Sequence, residues 1–263
     1  MERFLFIGGD ARMSYAAEYL NNKERECTFA PEGLSDAAVL PLPIRPDFDL
    51  SLLDNAVKQG GRVFAGGSFP ALEEYCLLHG LALHNYLARE ELQVLNAVPT
   101  AEGALEILIR ELDVTLWGAS VLITGFGRIG EVMARMLIAL GSHVTVCARR
   151  PEQLAKAEGM GCTAVAFMFS GELDKLLPCF DAAVNTVPAV VLDEKRLLLV
   201  KKGCLIVDLA SKAGTAEGTQ SGAKIIHALS LPGKTAPVTA GKIIGKTIEN
   251  ILREEEVNGG NKS

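Results

Sequence analysis

Val121-Leu122-Ile123-Thr124 runs directly into Gly125-Phe126-Gly127-Arg128-Ile129-Gly130, and the reading of this stretch decides the fold. The first four residues are a β-rich apolar run. The next six have the G-x-G-x-x-G spacing, placed where that motif has meaning: after a strand and at the opening of a helix. Gly125 permits the tight turn, Gly127 lets a pyrophosphate approach the backbone, and Gly130 lets the helix pack closely on the strand. Phosphates at such a turn meet the free N–H groups and the positive dipole end of the helix. The competing reading is a glycine-rich turn that binds nothing.

Downstream, the alternation expected of a parallel sheet continues. Arg128–Leu140 is predicted as a helix ended by Gly141, and His143–Cys147 as a strand. Helix Glu152–Gly159, strand Thr163–Phe167 and helix Glu172–Leu177 follow. Strand Ala182–Asn185, helix Glu194–Val200 and strands Leu205–Asp208 and Lys224–Ala228 complete the series. Six strands with helices between them make a complete doubly wound sheet. The last helix, Thr239–Glu255, carries Ile243, Ile244, Ile248, Ile251 and Leu252 on one side. No strand comes after it, so it is expected to return across the first half.

Upstream, the first ~95 residues have their own strand–helix alternation. Strands are expected at Arg3–Ile7, Ala37–Leu40, Arg62–Ala65 and Leu81–Asn85. Helices are expected at Ala11–Asn21, Leu50–Lys58 (stopped by Gly60-Gly61) and Pro70–Leu78. Thr100–Arg110 reads as a continuous helix with Pro99 just before it, bridging the two halves. The fold class is therefore α/β in two domains. An N-terminal flavodoxin-like α/β domain, residues 1–98, is completed by the helix at 239–255. A Rossmann domain, residues 99–238, includes the bridging helix 100–111. Residues 257–263 read as a disordered tail.

Composition is compatible with this. The 263 residues are 49% hydrophobic and 22% charged, enough to bury a core in each half. A formal net charge of −6 argues against nucleic acid or an acidic membrane as partner, since both require a basic face. No apolar run approaches the ~18 residues of a membrane span. Met1–Ile7 turns into Gly8-Gly9-Asp10 too soon for a signal peptide. The six cysteines are scattered, with no C-x-x-C and no histidine at zinc spacing. They read as reduced thiols of a cytoplasmic protein, and no metal is expected.

The end of the second strand bears on the cofactor. An NAD-binding turn places Asp or Glu there for the ribose 2′-hydroxyl. This chain has Val146-Cys147-Ala148-Arg149-Arg150 instead. Guanidinium groups suit a 2′-phosphate, which a carboxylate would repel, so NADP(H) is predicted over NAD(H). The alternative is that Arg149 and Arg150 lie on a solvated loop. Asn185, Thr186 and Pro188 follow the fourth strand, and Asp208, Ala210, Ser211 and Lys212 the fifth. Both strand ends face the crevice where ligands bind in such sheets. Asp208 fits a turn cap equally well. Lys234, in Leu231–Pro237, suits a carboxylate ligand or plain solvation. His79, His84, His143 and His227 are isolated, and the two on strands, His143 and His227, read as structural.

Several stretches together resemble the A-subunit family of dipicolinate synthase. They are Ile7–Arg12, Asn96–Gly103, Gly125–Gly130, Asn185–Pro188, Asp208–Lys212, Leu231–Pro237 and Thr239–Gly241. The resemblance implies the fold of formate/glycerate-dehydrogenase-like proteins. It further implies NADP-dependent oxidation of dihydrodipicolinate to pyridine-2,6-dicarboxylate. It also implies the flavoprotein-like B subunit of dipicolinate synthase as partner, and the mother cell of a spore-forming bacterium. A homodimer is a further arrangement to consider. On this reading the cofactor residues are Gly125, Phe126, Gly127, Arg128, Ile129, Gly130, Arg149, Arg150, Asn185, Thr186, Pro188, Asp208 and Ala210. The dianionic substrate is assigned Asp10, Arg12, Thr100, Ser211, Lys212 and Thr235. Lys234 and Glu102 are assigned to catalysis, with Glu102 as base. A stabilising carboxylate in a first helical turn is the alternative for Glu102. The functional alternatives are an NADP-dependent dehydrogenase of another small carboxylic acid and a non-catalytic NADP-binding regulatory subunit.

Overall fold

The computed structural model describes residues 1–167, 170–211, 214–216 and 222–260. In chain order the first elements are β1 (Arg3–Phe6), α1 (Ala11–Asn21), β2 (Glu26–Thr28), β3 (Ser35–Val39), β4 (Val57–Ala65), α2 (Pro70–Leu78), β5 (Ala82–Asn85) and α3 (Glu90–Glu111). Then come β6 (Ser120–Thr124), α4 (Arg128–Ala139), β7 (His143–Ala148), α5 (Pro151–Gly159), β8 (Thr163–Ala166) and α6 (Ser170–Leu176). The series closes with β9 (Ala182–Asn185), α7 (Glu194–Leu197), β10 (Leu205–Asp208), β11 (Lys224–His227), α8 (Leu231–Thr235) and α9 (Pro237–Gly260). The chain forms two compact units: Met1–Asn96 with Ala236–Ser263, and Ala97–Thr235.

The first unit is a parallel sheet in the order β2-β1-β3-β4-β5, the flavodoxin-like order. One face packs Phe4, Phe6 and Phe64 against Ala16, Leu20, Ile244 and Ile248 of α1 and α9. Burial of each large apolar side chain contributes about 1.5–3 kcal/mol, so α9 is an integral layer of this unit. Small residues bring the two helices together. A Cβ on Gly241 would overlap the Arg12 carbonyl oxygen and lie 2.6 Å from Tyr15 Cβ, and one on Gly245 would lie 2.8 Å from Tyr19 Cδ1. Near the other end of α9, Arg62 Nε donates to Glu255 at 2.7 Å and Arg89 Nη1 to Glu254 at 2.8 Å.

The second unit is a six-stranded parallel sheet ordered β11-β10-β9-β6-β7-β8. The order reverses between β9 and β6, where a doubly wound sheet binds its ligand. Leu122, Val165, Ala183 and Ile206 fill one face, and Val121, Ile123, Val184 and Val207 the other. Strands buried on both sides read as continuous apolar runs, which is why they are legible.

The structure corrects several expectations in detail. Leu50–Lys58 is not a helix: a 3₁₀ turn spans Leu50–Leu53, capped by Asp49, and β4 begins at Val57. Gly60-Gly61 serves a bulge in β4, where the register with β3 slips between Ser35 and Ala37. A Cβ on Gly61 would lie 2.5 Å from Val57 Cγ1 and 2.9 Å from the Asp36 oxygen. The bridging helix is longer than 100–111. It starts at Glu90 and carries Pro99 inside it, at the expense of the N–H that would have met the carbonyl of Leu95. The short edge strand β2 has no counterpart in the sequence reading, nor has α8 within Leu231–Pro237. The last helix spans Pro237–Gly260 instead of 239–255, so residues 257–260 of the expected tail are helical. Residues 261–263 lie outside the described residues.

Candidate functional site

The turn after β6 has a form suited to a dinucleotide phosphate. Gly125 has φ +91°, a left-handed conformation, and a Cβ there would lie 2.5 Å from Thr186 Oγ1. A Cβ on Gly130 would overlap the Gly125 carbonyl oxygen. At Gly127 a Cβ would meet nothing within 4 Å. Gly127 is also the N-cap of α4, and no side chain caps that end. The residue at that helix end thus leaves room beside it and offers no side-chain acceptor of its own, the arrangement that accepts an anion. Phe126 is buried and its carbonyl accepts from Gln153 Nε2 at 2.9 Å, which holds the turn from behind. Arg128 is exposed and Ile129 half-buried.

At the carboxyl end of β7, Arg149 and Arg150 are both exposed. Arg150 pairs with Glu152 at 3.2 Å. Arg149 makes no ion pair among the described residues, and no carboxylate occupies the ribose position of the strand end.

The ends of β9 and β10 are joined by a buried polar network. Thr124 Oγ1 donates to Asn185 Oδ1 at 2.6 Å, and Asn185 Nδ2 donates to Asp208 Oδ1 at 2.8 Å. The amides of Ala210, Gly214 and Thr215 donate to the Asp208 carboxylate at 3.0, 2.8 and 3.0 Å. Asn185 and Asp208 are 0% and 1% exposed. Their side chains are thus consumed in shaping the loops after β9 and β10. For Asp208 this is the turn-cap reading of the sequence, and a buried carboxylate needs these donors to offset its lost hydration. Thr186 donates to the Thr124 carbonyl at 2.9 Å, Pro188 is exposed and Ala210 buried. Ser211 is exposed, and Lys212 lies outside the described residues.

Thr100, half-buried, and Glu102, exposed, stand on α3. Because α3 starts at Glu90, Glu102 is mid-helix, and the first-turn alternative for it falls away. Glu102 and Lys234 are exposed and make no ion pair among the described residues. Gly103 is the contact between α3 and α8: a Cβ there would lie 2.7 Å from Thr235 Oγ1 and 3.0 Å from Leu231 Cβ. The helical segments bearing Glu102 and Lys234 are therefore packed together, with Thr235 at the seam.

In the first unit, Asp10 is the N-cap of α1. Its carboxylate accepts from Arg12 Nε at 2.9 Å and Nη2 at 2.7 Å, and Arg12 Nη2 also donates to the Leu42 carbonyl at 2.6 Å. The hydrogen bond from Arg12 holds the Asp10 carboxyl below its usual range, against the opposing effect of burial. Arg12 is 5% exposed. A guanidinium so buried must be paired, so Arg12 braces the β1–α1 turn and is not the free cation expected from the sequence.

Sequence reasoning leaves His227 out of the site. It is the register partner of Asp208 across β10 and β11, with Nδ1 3.7 Å from Asp208 Oδ2. The signal is faint: both residues are the last of their strands. Among the described residues no His/Cys/Asp/Glu group is arranged to hold a metal ion, and no helix is long and apolar enough to cross a membrane.

Comparison with known proteins agrees with this geometry. Residues 102–216 match the D-isomer specific 2-hydroxyacid dehydrogenase NAD binding domain, which assigns a dehydrogenase-type, nicotinamide-nucleotide-binding domain to the part holding the glycine turn. The A subunit of dipicolinate synthase from Bacillus subtilis (strain 168) is 32% identical over 201 residues, covering 75% of this chain and 67% of that protein. The crystal structure of the dipicolinate synthase A chain from Bacillus subtilis superposes with a TM-score of 0.84 at 26% identity, covering 98% of this chain and 97% of that one. The corresponding structure from Bacillus halodurans gives 0.83 at 26% identity, covering 95% and 97%. The chain belongs to the A-subunit family of dipicolinate synthase.

Proposed function

We propose that this chain oxidises dihydrodipicolinate to pyridine-2,6-dicarboxylate with NADP⁺, in a complex with a flavoprotein-like second subunit, during sporulation in the mother cell of a spore-forming bacterium. The observation that carries the cofactor choice is the end of β7, where Arg149 and Arg150 stand exposed and follow Ala148 with no Asp or Glu between them, the nearby Glu152 being paired with Arg150. Bound nicotinamide supplies a hydride acceptor. The chain supplies the rest. Open space at Gly127 admits the pyrophosphate, and the α4 amides bind it. Arg149 and Arg150 hold the 2′-phosphate, and the loops after β9 and β10, shaped by Asn185 and Asp208, receive the nicotinamide end. Lys234, Thr235, Thr100 and Ser211 are the groups offered to the substrate carboxylates. Glu102 is the carboxylate offered to its proton.

The test is formation of pyridine-2,6-dicarboxylate by ultraviolet absorbance, with NADP⁺ against NAD⁺ and with or without the second subunit. Product with NADP⁺ preferred is expected. Turnover of other small carboxylic acids but not dihydrodipicolinate would replace the substrate. NADPH binding with no turnover in the reconstituted complex would favour a regulatory role.

A further inference from the structure

The strand β11 is an edge strand and, among the described residues, pairs with β10 alone. Across that pairing the charged group set against His227 is Asp208, with Oδ2 3.7 Å from Nδ1. Asp208 is fixed: one side-chain amide and three backbone amides donate to it. The Asp208 side chain is 0% exposed, while that of His227 is 41% exposed. A buried, immobile acceptor thus faces one nitrogen of an imidazole whose ring reaches the surface at the carboxyl edge of the sheet. That edge is where a doubly wound sheet presents ligands to chemistry.

We propose that His227, oriented by Asp208, and not Glu102, is the proton acceptor of the oxidation; in every other respect this rests on the function proposed above. A carboxylate at Nδ1 selects the neutral tautomer with its proton on Nδ1, which leaves the Nε2 lone pair directed away as the base. The separation of 3.7 Å is beyond hydrogen-bond length; catalytic hydrogen bonds are often long before substrate binds and tighten with it. In the reaction one ring C–H of the dihydropyridine leaves with its electron pair to the nicotinamide. The adjoining C–H gives its proton to His227 Nε2, and the electrons left behind complete the aromatic ring. His227 is then an imidazolium, which returns its proton to solvent through its exposed edge. Asp208 is a positioning residue in this scheme.

The test uses the full chain with isotope-labelled histidine. The resonance absent from His227→Gln identifies His227 among the four histidines. Long-range proton–nitrogen correlations above about pH 8, where imidazole is neutral, then report its tautomer without any cofactor or turnover. The Nδ1–H form is expected, and a dominant Nε2–H form would overturn the orientation. In the product assay His227→Gln is expected to lower kcat about 10²–10⁴-fold. KM and NADPH affinity should be unchanged within twofold. Full turnover in His227→Gln, with the same loss seen instead in Glu102→Gln, would overturn the role and leave the proposed function standing. Absence of product from the wild-type complex would overturn the function and the proton transfer with it, while the tautomer measurement still judges the dyad.

Discussion

Two glycines of one turn should respond to alanine in opposite ways. At Gly127 the added methyl enters open space, and the backbone there (φ −97°, ψ −161°) is extended and open to any residue. Restricting the unfolded chain then stabilises by roughly 0.4–1 kcal/mol, so Tm should hold or rise slightly. The same methyl occupies the space through which a pyrophosphate must approach the amides of α4. Loss of one charge-assisted hydrogen bond costs about 1.5–3 kcal/mol, a weakening of cofactor binding by roughly 10- to 150-fold. At Gly130 the methyl would overlap the Gly125 carbonyl oxygen and sit 3.2 Å from its carbon. Both atoms belong to the backbone and cannot swing aside. Overpacking of this kind costs about 1–3 kcal/mol, or roughly 3–10 °C in Tm. Circular dichroism melting and calorimetric titration with NADPH measure the two quantities separately. If Gly127→Ala lowers Tm as far as Gly130→Ala, or binds NADPH with unchanged affinity, the assignment of Gly127 to phosphate approach is wrong.

Arg149→Ala should weaken NADPH binding about 10- to 100-fold, the worth of one bond to a charged group, with NADH affinity unchanged in the same titration. Gly241→Ala should destabilise the first unit more than Gly245→Ala, because the former meets the Arg12 carbonyl oxygen and the latter first meets a tyrosine ring. The expected losses are about 1–3 kcal/mol and less than half of that, offset in both cases by about 1 kcal/mol of helix propensity; urea unfolding reports both. Asp10→Asn should cost roughly 1–2 kcal/mol near neutral pH, because the amide oxygen still accepts from Arg12 but the second acceptor oxygen and the charge of the pair are lost, and the half-exposed carboxylate is screened. The folded-state pKa of Asp10 is lowered. Its contribution is therefore fully present above about pH 4, the ordinary carboxylate value, and disappears as pH falls through the lowered one. Wild type and Asp10→Asn should converge in chemical denaturation only in that acidic range.

What the sequence discloses and what it hides divide along a physical line. The central strands of the second unit are legible because β6, β9 and β10 are buried on both faces, so Val121–Ile123 and Leu205–Val207 are apolar without interruption. The glycine turn is legible because its three glycines answer three local demands, each visible within six residues. Gly60-Gly61 misleads because a glycine pair after an amphipathic stretch suits a helix end as well as a bulge, and the partner that decides, the slipped register of β3, is distant in sequence. Pro99 misleads in the same way: a proline normally marks a helix start, and only buried contacts on both sides of it, at Leu92 and Ala101, carry α3 through. The site residues are misread for a related reason. A charge at a strand end gives no sign of whether it faces solvent or its neighbours. Arg12 and Asp208 read as facing ligand, yet both are buried and spoken for by groups on other segments. His227 reads as structural, yet it is the half-exposed member of a pair that exists only because β10 and β11 are aligned Asp208 to His227. The chemistry of this edge therefore lies in pairings between strands, and the tautomer of one imidazole is its most direct readout.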